Sequence, residues 1–214
     1  MEKLTMVLPK GKLLASSLQL LSRAGYWPPT VQDDSRRLLF EPPGGELRFI
    51  LAKPEDVPTY VEYGAADLGI VGRDIVAESG CDVYEPLLLG FGHCRLVVAA
   101  PQGMEGEPLR LRPSVRVATK YPRLARDFFL SHGLSVEIVA LRGSIELAPA
   151  VGLADLIVDV VETGRTLREN NLVERRTIME SQACLIVNRA SHKLRLREIS
   201  ELIERIERVV EGND

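Results

Sequence analysis

Residues 154–167 read ADLIVDVVETGRTL, an apolar strand-like run that ends in a turn rich in hydroxyl groups. Asp159 and Glu162 interrupt the apolar run, and a four-residue turn follows them. A glycine lets the backbone approach an anion closely, while backbone N–H groups and threonine hydroxyls can donate hydrogen bonds to a phosphate. The turn is therefore a candidate phosphate-binding loop, with ligands from Thr163, Gly164, Arg165 and Thr166.

The two carboxylates need a partner other than phosphate, because like charges repel. Asp159 and Glu162 offer only acceptors, and such groups suit the vicinal hydroxyls of a ribose. Ribose 5-phosphate presents a phosphate and a diol together, so the stretch indicates a phosphoribosyl ligand. The alternative is an ordinary strand-to-helix junction, because residues 166–169, TLRE, also fit a capping box whose hydroxyls bond only the backbone.

Length and composition limit the classes of protein to consider. A chain of 214 residues with 45 % hydrophobic content can form one large domain or two small lobes. A net charge of −3 and a pI near 5.8 argue against a general binder of nucleic acid or membrane surfaces, since these need a basic field. The sequence shows no secretory leader pattern and no membrane-spanning apolar run, so we expect a cytoplasmic protein.

The cysteines do not indicate a disulfide framework or a zinc site. Cys81, Cys94 and Cys184 are odd in number, far apart and without C-x-x-C spacing. We interpret them as small buried residues in a reducing compartment. His93 and His132, like His192, lack the partner spacing of a catalytic triad or a metal site, and we interpret all three as structural or surface residues.

Short β-branched runs alternate with helical patterns, which predicts an α/β protein with mainly parallel sheets. The predicted strands are 5–8, 47–52, 68–71, 83–88, 96–100, 115–118, 136–140, 156–160 and 177–187, the last broken near 180. The predicted helices are 13–24, 56–63, 74–79, 121–132 and 199–210. If the last strand returns to the first lobe, the lobes are 1–91 with 180–214, and 92–179, as in a clamshell. A single doubly wound sheet is the alternative.

Basic residues and glycines at other predicted strand ends are weaker candidates. Lys10 and Gly11 follow the first strand, at the position where open α/β sheets bind ligands. Arg36 and Arg37 precede one strand and Lys53 follows the next, and cations there could stabilise charge on a departing pyrophosphate. Solvated surface charge is the common alternative for each of them.

Two further positions are candidates on similar grounds. Gly72 ends an apolar run, where the backbone could pass close to a ligand, although a tight turn explains it equally well. Tyr121 stands at the start of a helix and could stack on a base, although an aromatic residue at that position more often belongs to the core.

Several segments, in order, resemble the ATP phosphoribosyltransferase family. Glu146, Gly152, Asp159 and the turn at 163–166 match the spacing of its signature. Further matching segments are PKG at 9–11, DVP at 56–58, ADLG at 66–69, GHCRL at 92–96, ATKYP at 118–122 and GSIELAP at 143–149. The resemblance covers nearly the whole chain.

The resemblance implies a fold and a reaction. The fold is that of type II periplasmic binding proteins, with ATP and phosphoribosyl pyrophosphate in a cleft between two lobes. Adenine N1 displaces pyrophosphate from C1 of the ribose in the first step of histidine biosynthesis, and Mg²⁺ is carried by the pyrophosphate.

It also implies roles for particular residues. The turn at 163–166 would bind the 5-phosphate, and Asp159 with Glu162 would bind the diol, with Glu146 nearby. Lys53 with Arg36 or Arg37 would face the pyrophosphate. The ATP candidates are Lys10, Gly11, Gly72 and Tyr121.

The length resembles the short form of the family. Such members work with a regulatory subunit similar to histidyl-tRNA synthetase, in a hetero-octamer. Lys12 and Lys53 stand where members often have arginine, and lysine keeps the charge but loses the bidentate fork. The remaining alternatives are a non-catalytic clamshell binding module and another phosphoribosyltransferase.

Overall fold

The computed structural model describes residues 3–26, 37–104 and 115–212. Their strands are β1 (Leu4–Pro9), β2 (Leu39–Phe40), β3 (Leu47–Ala52), β4 (Leu68–Gly72), β5 (Tyr84–Leu88), β6 (Cys94–Pro101), β7 (Arg116–Thr119), β8 (Glu137–Ala140), β9 (Leu156–Val161), β10 (Leu172–Ser181) and β11 (Ala183–Val187). Their helices are α1 (Leu14–Arg23), α2 (Val57–Glu62), α3 (Arg73–Ser79), α4 (Pro122–Ser131), α5 (Leu147–Ala150), α6 (Arg165–Glu169), α7 (Arg189–Leu194) and α8 (Leu196–Val210). A 3-10 turn, Pro54–Asp56, precedes α2. The chain divides into two compact units, Met1–Gly92 with Gln182–Asp214, and His93–Ser181.

In the described residues, the first unit has a six-stranded sheet in the order β2-β3-β1-β4-β11-β5. β1 lies inside it, with β3 and β4 parallel to it on either side. All six residues of β1 are buried. Met6 and Leu8 pack with residues of α1 and α8, whereas Val7 packs with residues of α2 and α3. Because helices cover both faces, the strand is apolar except for Thr5 and shows no polar alternation.

The second unit has a five-stranded sheet, again within the described residues, in the order β10-β6-β9-β7-β8. β7, β8 and β9 are mutually parallel, and β9 lies between β6 and β7. Val97, Ala118 and Ile157 form part of one core cluster, which Ile145 and Leu167 join from the connections at the carboxyl ends of the strands. The loops at that edge are thus anchored by buried residues on a rigid sheet.

The same carboxylate contact occurs in both units. Asp67, just before β4, accepts a hydrogen bond from the Thr5 N–H at 2.8 Å, and its own N–H donates to the Thr5 carbonyl at 2.8 Å. Asp155, just before β9, makes the same two bonds with Arg116, each at 2.9 Å. The Ala-Asp-Leu sequence that precedes both strands therefore fixes the start of a parallel strand pair in each unit.

The C-terminal helices are attached to the first unit by polar and apolar contacts. Ser191 Oγ donates to Asp67 Oδ1 at 2.7 Å, and Arg195 Nη1 lies 3.5 Å from Asp67 Oδ2. The buried Asn188 accepts from the Ser191 N–H at 2.8 Å and donates to the Val61 carbonyl at 2.7 Å. The buried face of α8 consists of Ile199, Leu202, Ile206 and Val209. This face confirms the amphipathic helix that the periodicity predicts.

The α/β class is confirmed, but the expectation of mainly parallel sheets is wrong. β2 is antiparallel to β3, and β11 is antiparallel to both β4 and β5. In the second sheet β6 is antiparallel to β9 and to β10. Buried strands have the same apolar sequence in either direction, so local pattern does not reveal the orientation.

Two details of the predicted elements also need correction. The segment predicted over 177–187 is divided as expected, but the break lies at Gln182 instead of near 180, and β10 already starts at Leu172. β10 belongs to the second sheet and β11 to the first, so the chain changes sheets at this break. The two-residue strand β2 was not predicted.

The cysteines are free, but the interpretation of all three as buried is wrong for two of them. Cys81 and Cys94 are partly exposed, and only Cys184 is buried. Burial raises the pKa of the Cys184 thiol to about 12, which keeps it protonated and unreactive. In the described residues, every helix is too short or too polar to pass through a bilayer.

Candidate functional site

The carboxyl end of β9 carries the turn on which the phosphoribosyl interpretation rests. After Val161 the chain passes through Glu162, Thr163 and Gly164 into α6. Gly164 has φ +73°, a left-handed conformation that glycine adopts readily and other residues do not. Leu167 is buried and anchors α6 to the core, while Thr163 and Thr166 stay exposed. The sheet thus presents an exposed loop with a fixed base.

The capping-box alternative for this turn is wrong. The helix begins at Arg165, with Gly164 as its N-terminal cap, so Thr166 already lies inside the helix. Glu169 does not bond back to the turn backbone but pairs with Arg165, at 2.7 Å between Nε and Oε1. In the part of the chain that the structure describes, neither Thr163 nor Thr166 uses its hydroxyl in a hydrogen bond. Both hydroxyls are available to a ligand.

Two arginines lie next to this loop. Arg165, a predicted phosphate ligand, is exposed and held by Glu169. Arg168 was not predicted, yet its Nη1 donates to the Thr163 carbonyl at 3.2 Å and lies 3.1 Å from where a Cβ on Gly164 would be. Its position four residues after Gly164 was the available signal, since residues four apart, about one helical turn, lie on the same side of a helix. Arg168 therefore braces the loop backbone.

Asp159 lies in β9 beside the loop and is half-buried. Burial raises the pKa of its carboxyl, and the nearby Glu146 raises it further. A hydrogen bond of 2.9 Å from the Val160 N–H to Oδ1, and the charge of Lys120, act in the opposite direction. Glu146, at the start of α5, and Asp159 thus lie close enough to interact. Glu162, the second predicted diol ligand, is exposed at the end of β9.

Lys120, like Arg168, lies next to the predicted site but was not predicted from the sequence. β7 is parallel to β9 with Thr119 opposite Val158, so Lys120, just past the end of β7, is adjacent to Asp159, which is still inside β9. The signal was its place directly after a predicted strand. Strand neighbours, however, are not known before the sheet order is known.

Tyr121 is only 6 % exposed. Its N–H donates to Thr119 Oγ1 at 2.8 Å, and it caps the start of α4. A ring buried to this extent has no open face for a base, so the core alternative describes Tyr121 better than stacking on adenine.

In the first unit, several predicted residues share one sheet edge. Lys10 and Gly11 follow β1, Lys53 follows β3, and the Lys10 N–H donates to the Ala52 carbonyl at 2.8 Å. Lys10 and Lys53 are both exposed there. These strand ends form a basic edge.

Arg37, one of the two predicted arginines, lies near the same sheet edge. Arg37 Nε donates to the Leu39 carbonyl at 2.8 Å, and its guanidinium lies 5.5 Å from the centre of the Phe40 ring. The Leu51 N–H donates to the Leu38 carbonyl at 2.8 Å, which places Arg37 next to the end of β3. Arg36 lies outside the described residues.

Gly72 is in close contact with a neighbouring carboxylate, which the sequence did not indicate. Its φ is −68°, which any residue can adopt. A Cβ at this position would instead collide with Asp74 Oδ1. Asp74 is buried in the first turn of α3. A side chain at position 72 would therefore force the Asp74 carboxylate to move.

The loop before Glu146 contains a strained residue. Ser144 has φ +50°, a conformation that is unfavourable for residues other than glycine. We expect Ser144→Gly to raise the free energy of unfolding by about 0.5–1 kcal/mol, because relief of strain exceeds the added entropy of the unfolded chain. Urea unfolding measures this. Asn171→Gly, at φ +55°, is the matched control and should change stability less, since asparagine tolerates this region. A lower free energy of unfolding for Ser144→Gly would contradict the hypothesis that Ser144 is strained.

Comparisons with known proteins agree on one family. A family model described as ATP phosphoribosyltransferase matches residues 53–208. A protein of that name from Moorella thermoacetica is 53 % identical over 210 residues, which are 96 % of this chain and 92 % of the relative. Another from Syntrophotalea carbinolica is 49 % identical over 215 residues, covering 99 % and 98 %.

Solved structures show the same relationship. A chain of the ATP phosphoribosyl transferase (HisG:HisZ) complex from Thermotoga maritima has a TM-score of 0.85 and 33 % identity, covering 98 % of this chain and 99 % of that one. The arginine-bound protein Tv2483 has a TM-score of 0.59 at 14 % identity, covering 97 % and 87 %. The latter likeness concerns the fold alone, which is the two-unit fold of such binding proteins.

Proposed function

Because the chain belongs to the ATP phosphoribosyltransferase family, we propose that it transfers the phosphoribosyl group of phosphoribosyl pyrophosphate to N1 of ATP. The products are phosphoribosyl-ATP and pyrophosphate, and the reaction is the first step of histidine biosynthesis. The structural observation that supports this most strongly is the loop after β9. It presents two unbonded threonine hydroxyls beside a half-buried carboxylate, Asp159.

The chemistry needs binding and charge stabilisation more than an activated side chain. The N1 lone pair of adenine forms the new bond to C1, while the C1–O bond breaks and its electrons leave with pyrophosphate. Since the attacking nitrogen already has a lone pair, no serine, cysteine or histidine nucleophile is required. Rate enhancement comes from aligning the substrates and from stabilising the charge on the departing pyrophosphate.

The second unit has the groups for the sugar phosphate. We assign the 5-phosphate to the loop residues Thr163, Gly164 and Thr166, with Arg165 available once it leaves Glu169. Asp159 and Glu162 accept hydrogen bonds from the diol, with Glu146 nearby. An acceptor-only carboxylate fits a diol because each hydroxyl has a proton to donate.

The first unit supplies cations and backbone groups. We assign Lys53 and Arg37, with Arg36 as its neighbour in sequence, to the pyrophosphate. Lys10 and Gly11 are assigned to ATP, and Gly72 shapes the adjacent turn. Mg²⁺ enters on the substrate pyrophosphate, because this ion prefers phosphate oxygens and water to a cage of protein ligands.

The assembly is part of the proposal. The structural neighbour from Thermotoga maritima was solved as a HisG:HisZ complex. We expect this chain to work with a regulatory subunit similar to histidyl-tRNA synthetase, in a hetero-octamer in the cytoplasm. Sedimentation of the chain with and without such a subunit tests the assembly separately from the chemistry.

The activity is tested by mixing the protein with ATP, phosphoribosyl pyrophosphate and Mg²⁺ and following the absorbance of the N1-substituted adenine. Product should form only when both substrates are present. Replacing ATP with free nucleobases is the control that distinguishes this family from salvage enzymes. Transfer to a free base but not to ATP would overturn the proposal, and binding of either substrate without product would favour a non-catalytic module.

Lys53→Ala should lower kcat more than it raises KM. A cation that meets the leaving group acts mainly as charge develops, so we expect kcat to fall about tenfold, as for the loss of one charged hydrogen bond. Steady-state kinetics with each substrate varied in turn measures both constants. Lys53→Arg, which keeps the charge, should recover most of kcat. An effect on KM alone would show instead that Lys53 is a general phosphate anchor.

A further inference from the structure

Lys120 occupies a position in the second unit that the assignments above leave unused. It follows β7 directly, and its neighbour across the sheet is Asp159, because Thr119 pairs with Val158 in the preceding register position. β8 lies on the other side of β7, and the connection after β8 leads to Glu146. The carboxyl ends of three parallel strands therefore place the ammonium of Lys120 and the carboxylate of Glu146 near Asp159.

The ammonium of Lys120 is exposed, and it has no direct partner in the described part of the chain. Among the residues that the structure describes, Lys120 forms neither an ion pair nor a side-chain hydrogen bond. Its charge nevertheless reaches Asp159, since it opposes the effect of burial on the pKa of that carboxyl. Arg165 and Arg195, by contrast, are paired with nearby glutamates. Lys120 is thus a cation beside Asp159 with no counter-ion in contact among residues 3–26, 37–104 and 115–212.

The structure of the substrate decides which anion suits Lys120. The 2-hydroxyl of the ribose, which is proposed to donate a hydrogen bond to Asp159, is attached to the carbon next to C1. The pyrophosphate leaves from C1, whereas the 5-phosphate is at the opposite end of the sugar. The 5-phosphate already has donors in the loop at 163–166. A cation beside the diol carboxylate is therefore closer to the groups on C1 than to the 5-phosphate.

We propose that Lys120 binds the pyrophosphate of phosphoribosyl pyrophosphate and holds it as the C1–O bond breaks. This assignment rests on the proposed function and adds a substrate contact to it. The ammonium donates hydrogen bonds to the phosphate oxygens, and the leaving pyrophosphate takes the electrons of the broken bond. The other possible role is indirect, with Lys120 acting only by keeping Asp159 ionised for the diol.

Two ligands separate these roles. Phosphoribosyl pyrophosphate with Mg²⁺ carries the diol, the 5-phosphate and the pyrophosphate, whereas ribose 5-phosphate lacks the pyrophosphate. Calorimetric titration of the full chain with each ligand compares wild type with Lys120→Ala and Lys120→Arg. Lys193→Ala, at an exposed lysine of α7 in the first unit, is the matched control.

We expect Lys120→Ala to lower the affinity for phosphoribosyl pyrophosphate about tenfold, as for the loss of one charged hydrogen bond. The affinity for ribose 5-phosphate should stay within about twofold of wild type. Lys120→Arg should restore most of the affinity, and Lys193→Ala should match wild type. Equal weakening of both ligands would overturn the assignment in favour of the indirect role. Unchanged binding of both would overturn it in favour of a solvated lysine. If wild type bound neither ligand, the proposed function itself would fall, and this assignment with it.

Discussion

Asp159→Asn should lower kcat/KM for phosphoribosyl pyrophosphate by at least about tenfold, the effect of losing roughly one charged hydrogen bond, and by more if both diol hydroxyls bond to the carboxylate. Asparagine keeps the shape of the side chain and an oxygen that can accept the Val160 N–H. It loses the charge, and one of its two terminal groups becomes a donor. The ribose hydroxyls then meet a poorer acceptor in both the ground state and the transition state.

The same substitution should raise the thermal unfolding midpoint at neutral pH. Burial, followed by the charge of Glu146, raises the pKa of Asp159 in the folded protein above its ordinary value. When the pKa of a group is higher in the folded than in the unfolded protein, the group stabilises the fold at pH values below its unfolded pKa. This stabilisation is lost as the pH rises through the folded pKa. At pH 7 the ionised carboxylate is therefore unfavourable for stability, and asparagine removes it.

The stability difference between Asp159→Asn and wild type should shrink as the pH falls below the ordinary range of an aspartate. Thermal melts across that range, together with steady-state kinetics at neutral pH, measure both effects. Asp127→Asn, at an exposed position of α4, is the control and should change neither property. Unchanged kinetics would overturn the diol assignment, and a lower melting point at pH 7 would show that the carboxylate stabilises the fold.

Asp67→Ala should reduce the free energy of unfolding by about 3 kcal/mol, because several hydrogen bonds are lost and the buried Thr5 N–H is left without its acceptor. The side chain of Asp67 is 17 % exposed, and it joins Thr5 of β1 to Ser191 and Arg195 of the C-terminal segment. Removing it therefore weakens both the sheet and the attachment of α7 and α8. Urea unfolding followed by circular dichroism gives the difference in free energy.

Asp82→Ala is the matched control for Asp67→Ala. Asp82 also pairs with an arginine of α7, Arg189, at 2.6 Å, but the two side chains are 75 % and 57 % exposed. Exposed ion pairs contribute about 0–1 kcal/mol, so this variant should lose little stability. Equal losses in the two variants would contradict the argument that burial makes the Asp67 contacts important.

Much of the fold could be predicted because local pattern determines the elements. β3 occupies residues 47–52, as the apolar run indicates, and Gly25, with φ +81°, follows the end of α1 as expected. Orientation was harder to predict. β11 runs against β4, but its sequence, ACLIV, is as apolar as that of a parallel strand. Only long-range pairing distinguishes the two cases.

In the candidate site too, residues that are adjacent in sequence could be predicted, whereas those that depend on three-dimensional geometry could not. The turn after β9 was recognisable because its glycine and threonines are adjacent in sequence. Lys120 and Arg168 were missed because their roles depend on geometry, namely the register of β7 with β9 and the path of a side chain over Gly164. Gly72 was assigned to a ligand because the contact with Asp74 is visible only in three dimensions.

The position of β11 affects the order in which a ribosome can deliver a foldable chain. β11 lies between β4 and β5, so the first sheet stays open until residue 187 has been synthesised. The second unit is a continuous segment, His93–Ser181, and has all its strands before β11 appears. During translation the sheet of the first ninety residues therefore lacks the strand between β4 and β5, while the later segment can already reach its native structure. For this chain, the amino-terminal unit is the last to be completed.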